Sequence, residues 1–242
     1  MPAVVTILLG RASYGARRTA ELEALARSLA AHAGQPVEWA VIDGIGPALP
    51  AVLDRVAAGG ANRAVVVPVT LPSDVQLERW TQRVVARWLG GRNPGLEIVV
   101  APPLAEATGL VPVLADHVAG HVADRPLRPS TASPNSPDWS LLPAHARHVL
   151  VCRGPRCTAA GAGDVAAGLD AALAARGIGT SGALVTSCGC LYPCNLGPNV
   201  VVYPDGTWYG GMTPDAATRL VADHLVAGRE LAGHRIASGP LA

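Results

Sequence analysis

Cys190-Leu191-Tyr192-Pro193-Cys194-Asn195-Leu196-Gly197-Pro198, followed by Asn199-Val200-Val201-Val202-Tyr203-Pro204-Asp205-Gly206-Thr207-Trp208-Tyr209, decides how the C-terminal part of this chain folds. A Val-rich run, a Pro-Asp-Gly turn and a short aromatic run predict a β-hairpin. Just before it, two cysteines clip a proline-containing loop. A second clipped pair, Cys152-Arg153-Gly154-Pro155-Arg156-Cys157, ends the β-branched run that starts at His148. Ala183-Leu184-Val185-Thr186 leads in the same way to Cys190. Thiolates arriving at loop ends on neighbouring strands are the soft donors that a zinc or iron–sulfur site requires. Beyond the hairpin, Thr213 as N-cap and Pro214 at the first helical position predict a helix to about Ala227, stopped by Gly228.

Other uses of these cysteines stay open at this point. The chain has five cysteines, an odd number. Met1-Pro2-Ala3-Val4-Val5 enters a strand-like segment with no basic leader, so a cytoplasmic, reducing location is expected and disulfides are disfavoured. Buried thiols acting as small core residues are a further alternative. The C-x4-C and C-x3-C spacings are longer than the usual zinc-knuckle C-x2-C, which places iron–sulfur ahead of zinc.

From about His148 to Ile236 the chain resembles the thioredoxin-like 2Fe–2S ferredoxins. It carries their His-Val-hydrophobic-Val-Cys start, Gly189-Cys190 with Cys194 beyond it, Gly197-Pro198, and the Val-Val-Val-Tyr-Pro-Asp-Gly-x-Trp-Tyr run. The resemblance implies a 2Fe–2S cluster held by Cys152, Cys157, Cys190 and Cys194, a thioredoxin-like fold, a redox partner protein and a homodimer. Cys188 is extra, a bystander or an alternate ligand. Arg153 and Arg156, inside the first cysteine loop, are expected to soften the cluster's negative charge.

The remainder is framed by composition. Half of the 242 residues are hydrophobic, phenylalanine is absent and the formal net charge is +1. Dispersed basic residues give no footprint for nucleic acid, and no apolar run reaches the ~20 residues of a membrane span. The stretch from Arg125 to Asp138 is rich in Pro, Ser and Asn without apolar period, so a linker is expected over 124–146. It separates an N-terminal domain, 1–123, from a C-terminal domain, 147–242. In the first domain, strands are expected at Val4–Leu9, Val37–Ile42, Arg63–Val69 and Leu96–Ala101. They alternate with helices at Arg17–Ala33, Pro47–Ala58, Asp74–Leu89 and about Ala105–Val122. That alternation predicts an α/β fold with a parallel sheet, whose ligand crevice lies at the carboxyl ends of the strands. Trp80 and Trp88 are read as core residues, with a flat aromatic site as the other reading.

Gly10-Arg11-Ala12-Ser13, Arg63–Pro68 and Pro94–Pro102, in that order, resemble the short sirohydrochlorin cobalto-/ferrochelatases over about residues 3–120. The resemblance implies a tetrapyrrole ligand and metal insertion. It also implies two metal-binding histidines, one in a Gly-His-Gly-Ser motif and one after the third strand. Here those places read Gly10-Arg11-Ala12-Ser13 and Leu71-Pro72-Ser73-Asp74. Arg11 stays protonated and serves as neither base nor ligand, and Asp74 is a lone hard donor. Arg11 and Asp74 are the remaining catalytic candidates, and Arg11, Ser13 and Arg17 the candidates for seating ligand carboxylates. Two functions follow: a cluster protein of tetrapyrrole metabolism, or a one-electron carrier or sensor whose chelatase-like domain is a docking scaffold.

Overall fold

The computed structural model describes residues 4–12, 17–92, 95–125 and 140–239. Two sheets form, each with its own core. The first has the order β2-β1-β3-β4 and is wholly parallel, from β1 (Val4–Gly10), β2 (Val37–Val41), β3 (Arg63–Pro68) and β4 (Glu97–Val100). Parallel neighbours need crossovers, supplied by α1 (Arg17–Ala33), α2 (Leu49–Ala58) and α3 (Val75–Arg92). The chain steps outward from β1 to β2 and then back across to β3. Right-handed crossovers therefore place α2 and α3 together on one face. Leu49, Val52, Leu53 and Val56 of α2 meet Ile7, Leu9 and Val66 of the sheet and Val85 and Trp88 of α3. β1 is buried from Val5 to Gly10, as a central strand covered on both faces must be.

Two details depart from the sequence reading. α3 continues through Gly90 and Gly91 to Arg92, since a glycine near a helix end costs only about 1 kcal/mol relative to alanine. The last helix of this part is split into a 3₁₀ turn, Leu104–Glu106, and α4 (Leu110–His121), which buries no side chain. Leu110-Val111-Pro112-Val113-Leu114 is apolar all round, so its pattern selects no inward face. The expected linker lies mostly outside the described residues.

The second sheet has the order β6-β5-β7-β8-β9. β5 (Arg147–Cys152) pairs parallel with β6 (Ala183–Cys188) through α5 (Pro155–Ala159) and α6 (Ala162–Ala174). β7 (Val200–Tyr203) and β8 (Thr207–Tyr209) form the predicted antiparallel hairpin. β9 (Arg235–Ala237), too short to leave a periodic signal, adds an antiparallel edge. Thr213 accepts a hydrogen bond from Ala216 N at 3.1 Å and starts α7 (Pro214–Arg219). The helix widens into a π turn over Leu220–Val226 before Gly228. Val149, Val151, Leu169, Val200, Val202 and Leu220 fill this core. Two of its buried polar side chains, Tyr209 and His224, are paired, as burial favours. Tyr209 OH meets His224 Nδ1 at 2.8 Å, and His224 Nε2 meets Asp205 Oδ2 at 2.9 Å. Burial pushes the Tyr209 hydroxyl up to about 12. Among the described residues, no helix is long and apolar enough to cross a membrane.

Candidate cluster site

Cys152 is the last residue of β5, and Cys157 lies in α5, the short helix opened by Pro155 behind Gly154. Cys190 follows β6 by two residues, and Cys194 starts a 3₁₀ turn, Cys194–Leu196. Asn199 joins the two loops, its side-chain Nδ2 donating to Pro193 O at 3.0 Å and its backbone carbonyl accepting from Cys152 N at 3.0 Å. The sequence reading quoted Asn199 without assigning it this role. The approach is close enough to exclude side chains. A Cβ on Gly197 would come within 2.6 Å of Cys157 Sγ, and one on Gly154 within 3.1 Å of Cys190 Cα.

All four cysteines line one cavity of about 220 Å³, walled on its far side by Gln76, Leu77, Trp80 and Arg83 of α3. The thiols lie in two pairs. The Cys157 side chain hydrogen-bonds Cys152, and Cys190 Sγ lies 3.0 Å from Cys194 Sγ. Among the described residues, no three ligating side chains close on one ion position. Two thiolate pairs are the donor set of a binuclear cluster, which takes two thiolates at each iron. The Cys157 hydrogen bond pulls Cys152 down to about 6 against its burial, assisted by the amides of Leu191 and Gly154 and by Arg153. The same bond holds Cys157 well above the usual thiol range. Burial pushes Cys194 up to about 11. With Cys152 and Cys157 buried, Cys190 exposed and backbone donors on Cys152, the site suits a cluster whose charge must be held by hydrogen bonds.

Cys188 is not part of that lining. Its Sγ donates to Val151 O at 3.5 Å, and burial pushes it up to about 11. The two loop arginines divide their roles. Arg156 lies over the Trp80 ring, 5.0 Å from its centroid, and donates to Asn195 Oδ1 at 2.7 Å. Arg153 is buried and turned toward the first sheet. Its Nε and NH2 donate to Gly44 O at 3.1 and 2.9 Å, its NH1 donates to Ala162 O at 3.0 Å, and Gly44 N donates back to Arg153 O at 2.9 Å. Gly44 has φ +82, and a Cβ there would meet Ala12 O at 2.3 Å, so this contact requires glycine.

Gly44 belongs to the loop after β2, at the carboxyl edge of the parallel sheet, so the cysteine loops dock at the edge where the ligand crevice was expected. There Arg11 is turned onto Asp43, with NH2 to Oδ2 at 2.6 Å and Nε to Oδ1 at 3.3 Å. Asp74 caps α3, accepting at Oδ1 from Gln76 N at 2.9 Å and Leu77 N at 3.3 Å. Both catalytic candidates are thus engaged in structural contacts. Ser13 and the Arg17 side chain lie outside the described residues. Of the tryptophans, Trp88 is core and donates to Asp54 Oδ1 at 2.9 Å. Trp80 instead faces the cysteine loops.

With this geometry in hand, comparison with known proteins separates the two parts. Residues 5–120 match the CbiX family model. A 2Fe–2S ferredoxin of Aquifex aeolicus (strain VF5) is 47 % identical over 45 residues, which are 19 % of this chain and 40 % of that protein. The chain therefore spans less than half the length of this relative. The solved structure of a thioredoxin-like [2Fe–2S] ferredoxin from Aquifex aeolicus is 30 % identical and covers 40 % of this chain and 96 % of its own, with TM-score 0.37. A cobalamin (vitamin B12) biosynthesis CbiX protein from Marinobacter aquaeolei VT8 is 23 % identical over 49 % of this chain and 97 % of its own, with TM-score 0.44. The chain joins a CbiX-like part to a part homologous to 2Fe–2S ferredoxins.

Proposed function

We propose that this is a 2Fe–2S protein of tetrapyrrole metabolism, with Cys152, Cys157, Cys190 and Cys194 as cluster ligands. The observation that carries the reading is the two thiol pairs facing one cavity against a CbiX-like part. When bound, a 2Fe–2S cluster supplies one-electron transfer. The chain's own groups do the rest. The Cys157 side-chain hydrogen bond, and after it the Leu191 and Gly154 amides and Arg153, favour thiolate at Cys152. Gly197 and Gly154 let the loops close, and α3 forms one wall of the cavity that the sulfurs line. The proposed division is 1–123 chelatase-like, 124–146 linker and 147–242 ferredoxin-like, in a cytoplasmic homodimer that meets a redox partner protein.

The second reading, an electron carrier or sensor with the chelatase-like part as scaffold, is favoured by the carboxyl edge. Its loops at 10–17, 43–46, 70–74 and 102–106 hold no histidine, Arg11 is paired with Asp43 and Asp74 is spent on a helix cap. Titration of the anaerobic protein with sirohydrochlorin and then Co²⁺ separates the readings. Shifted porphyrinoid bands and metal entry faster than in buffer support the first reading. Absence of both leaves the carrier.

A further inference from the structure

Beside the cysteine cavity lies a second, larger one of about 760 Å³, where α3 faces the loops of the ferredoxin-like part. Trp80, Arg83, Arg87 and Trp88 line it from α3, and Arg156 and Asn195 line it from the cysteine loops. Cys194 also borders it, so an occupant would touch a thiol of the proposed cluster site. No carboxylate is among the described lining residues. Three guanidinium groups therefore converge on one volume without an acidic side chain to offset them. Planar guanidinium forks match carboxylates and phosphates in charge and geometry. Arg156 is held in place by the Trp80 ring on one side and Asn195 Oδ1 on the other, so its orientation is set before a ligand arrives. The indole of Trp80 gives the wall a flat aromatic surface, and the volume falls in the range of small-molecule sites, roughly 300–1,000 Å³.

We propose that this cleft binds an organic polyanion with a flat conjugated body, its acidic groups on Arg83, Arg87 and Arg156 and its ring plane against Trp80. The site goes beyond the chelatase reading, because it exists only where the two parts meet and uses neither Arg11 nor Asp74. The acidic groups are ring-borne carboxylates or phosphates, and two probes distinguish them: uroporphyrin for the first and flavin mononucleotide for the second.

The test is anaerobic calorimetric titration of the full-length, cluster-loaded protein with each probe, beside the variant Arg87→Glu. Arg87 is exposed on α3 and is not among the described residues lining the cysteine cavity, so the variant should keep its visible spectrum and melting temperature. Should it unfold, Arg87→Gln replaces it. The expected result is saturable binding of at least one probe at micromolar concentration, weakened about tenfold or more by charge reversal, as loss of charge-assisted contacts requires. Binding of neither probe at millimolar concentration overturns the proposal, as does binding that charge reversal leaves unchanged. No metal insertion is read, so the outcome stands whether or not the chelatase reading does.

Discussion

The cysteine loops and the carboxyl edge of the parallel sheet are built alike, from short loops at strand ends, but their functional groups have been left in opposite states. At the cysteine loops, four thiols face one cavity, and backbone amides and glycines are arranged around them. At the carboxyl edge, the charged groups already satisfy one another: Arg11 holds Asp43, and Asp74 closes the first turn of α3. A group whose hydrogen bonds are spent on the fold offers little to a ligand, because binding must first break them. The contrast supports the sulfurs as the proposed site of chemistry, with α3 of the N-terminal part forming one wall of their cavity.

The largest expected effect breaks that contrast directly. Cys152→Ala should abolish stable cluster binding, whereas Cys188→Ala should retain about two irons per chain, both read by iron and sulfide analysis. Equal loss in the two variants would assign Cys188 a ligand role. Next come the cores. Leu53→Ala and Leu169→Ala remove fully buried side chains, one from each core, and each should cost about 2–5 kcal/mol in denaturant unfolding. If the parts are held only by local contacts, Leu169→Ala destabilises the cluster-bearing part and leaves the other transition in place. A single shared transition would show that docking couples them.

The dock itself is the third target. Arg153→Met removes the guanidinium that bridges Gly44 and Ala162. It leaves two buried carbonyls short of a donor and should cost about 1–3 kcal/mol. Arg11→Met, at a more exposed ion pair, should cost less, and the reverse order would misplace the junction. The smallest effect is a pH slope. Hydrogen bonds from Thr207 and Arg235 hold the Glu230 carboxyl below its ordinary value. Its contribution is present above the unfolded-state pKa and lost as pH falls through the folded one. Glu230→Gln should flatten acid unfolding there slightly, as screening at a partly exposed site dictates.

How much of this was legible in the chain follows from sequence distance. Cys152 with Cys157, and Cys190 with Cys194, sit close together, and the Tyr203–Thr207 turn and the Thr213 cap are equally local, so spacing alone exposed them. The Arg153–Gly44 contact joins residues 109 apart and depends on a positive-φ glycine. No local pattern announces such a pair. Trp80 and Trp88 show the same limit. Eight residues apart on one helix, they read alike as core, yet Trp88 packs under α2 while Trp80 walls the cysteine cavity, because only the position of the second part decides which face is covered. α4 failed for the opposite reason, having apolar residues on every side and hence no readable face.

The central claim is that two thiol pairs hold one binuclear cluster. The most direct measurement is the composition and spectrum of protein purified without oxygen. The account predicts about two iron and two sulfide per chain, broad visible bands that bleach on dithionite, and an EPR signal from the reduced, half-spin state. Colourless protein carrying one zinc per chain would contradict it.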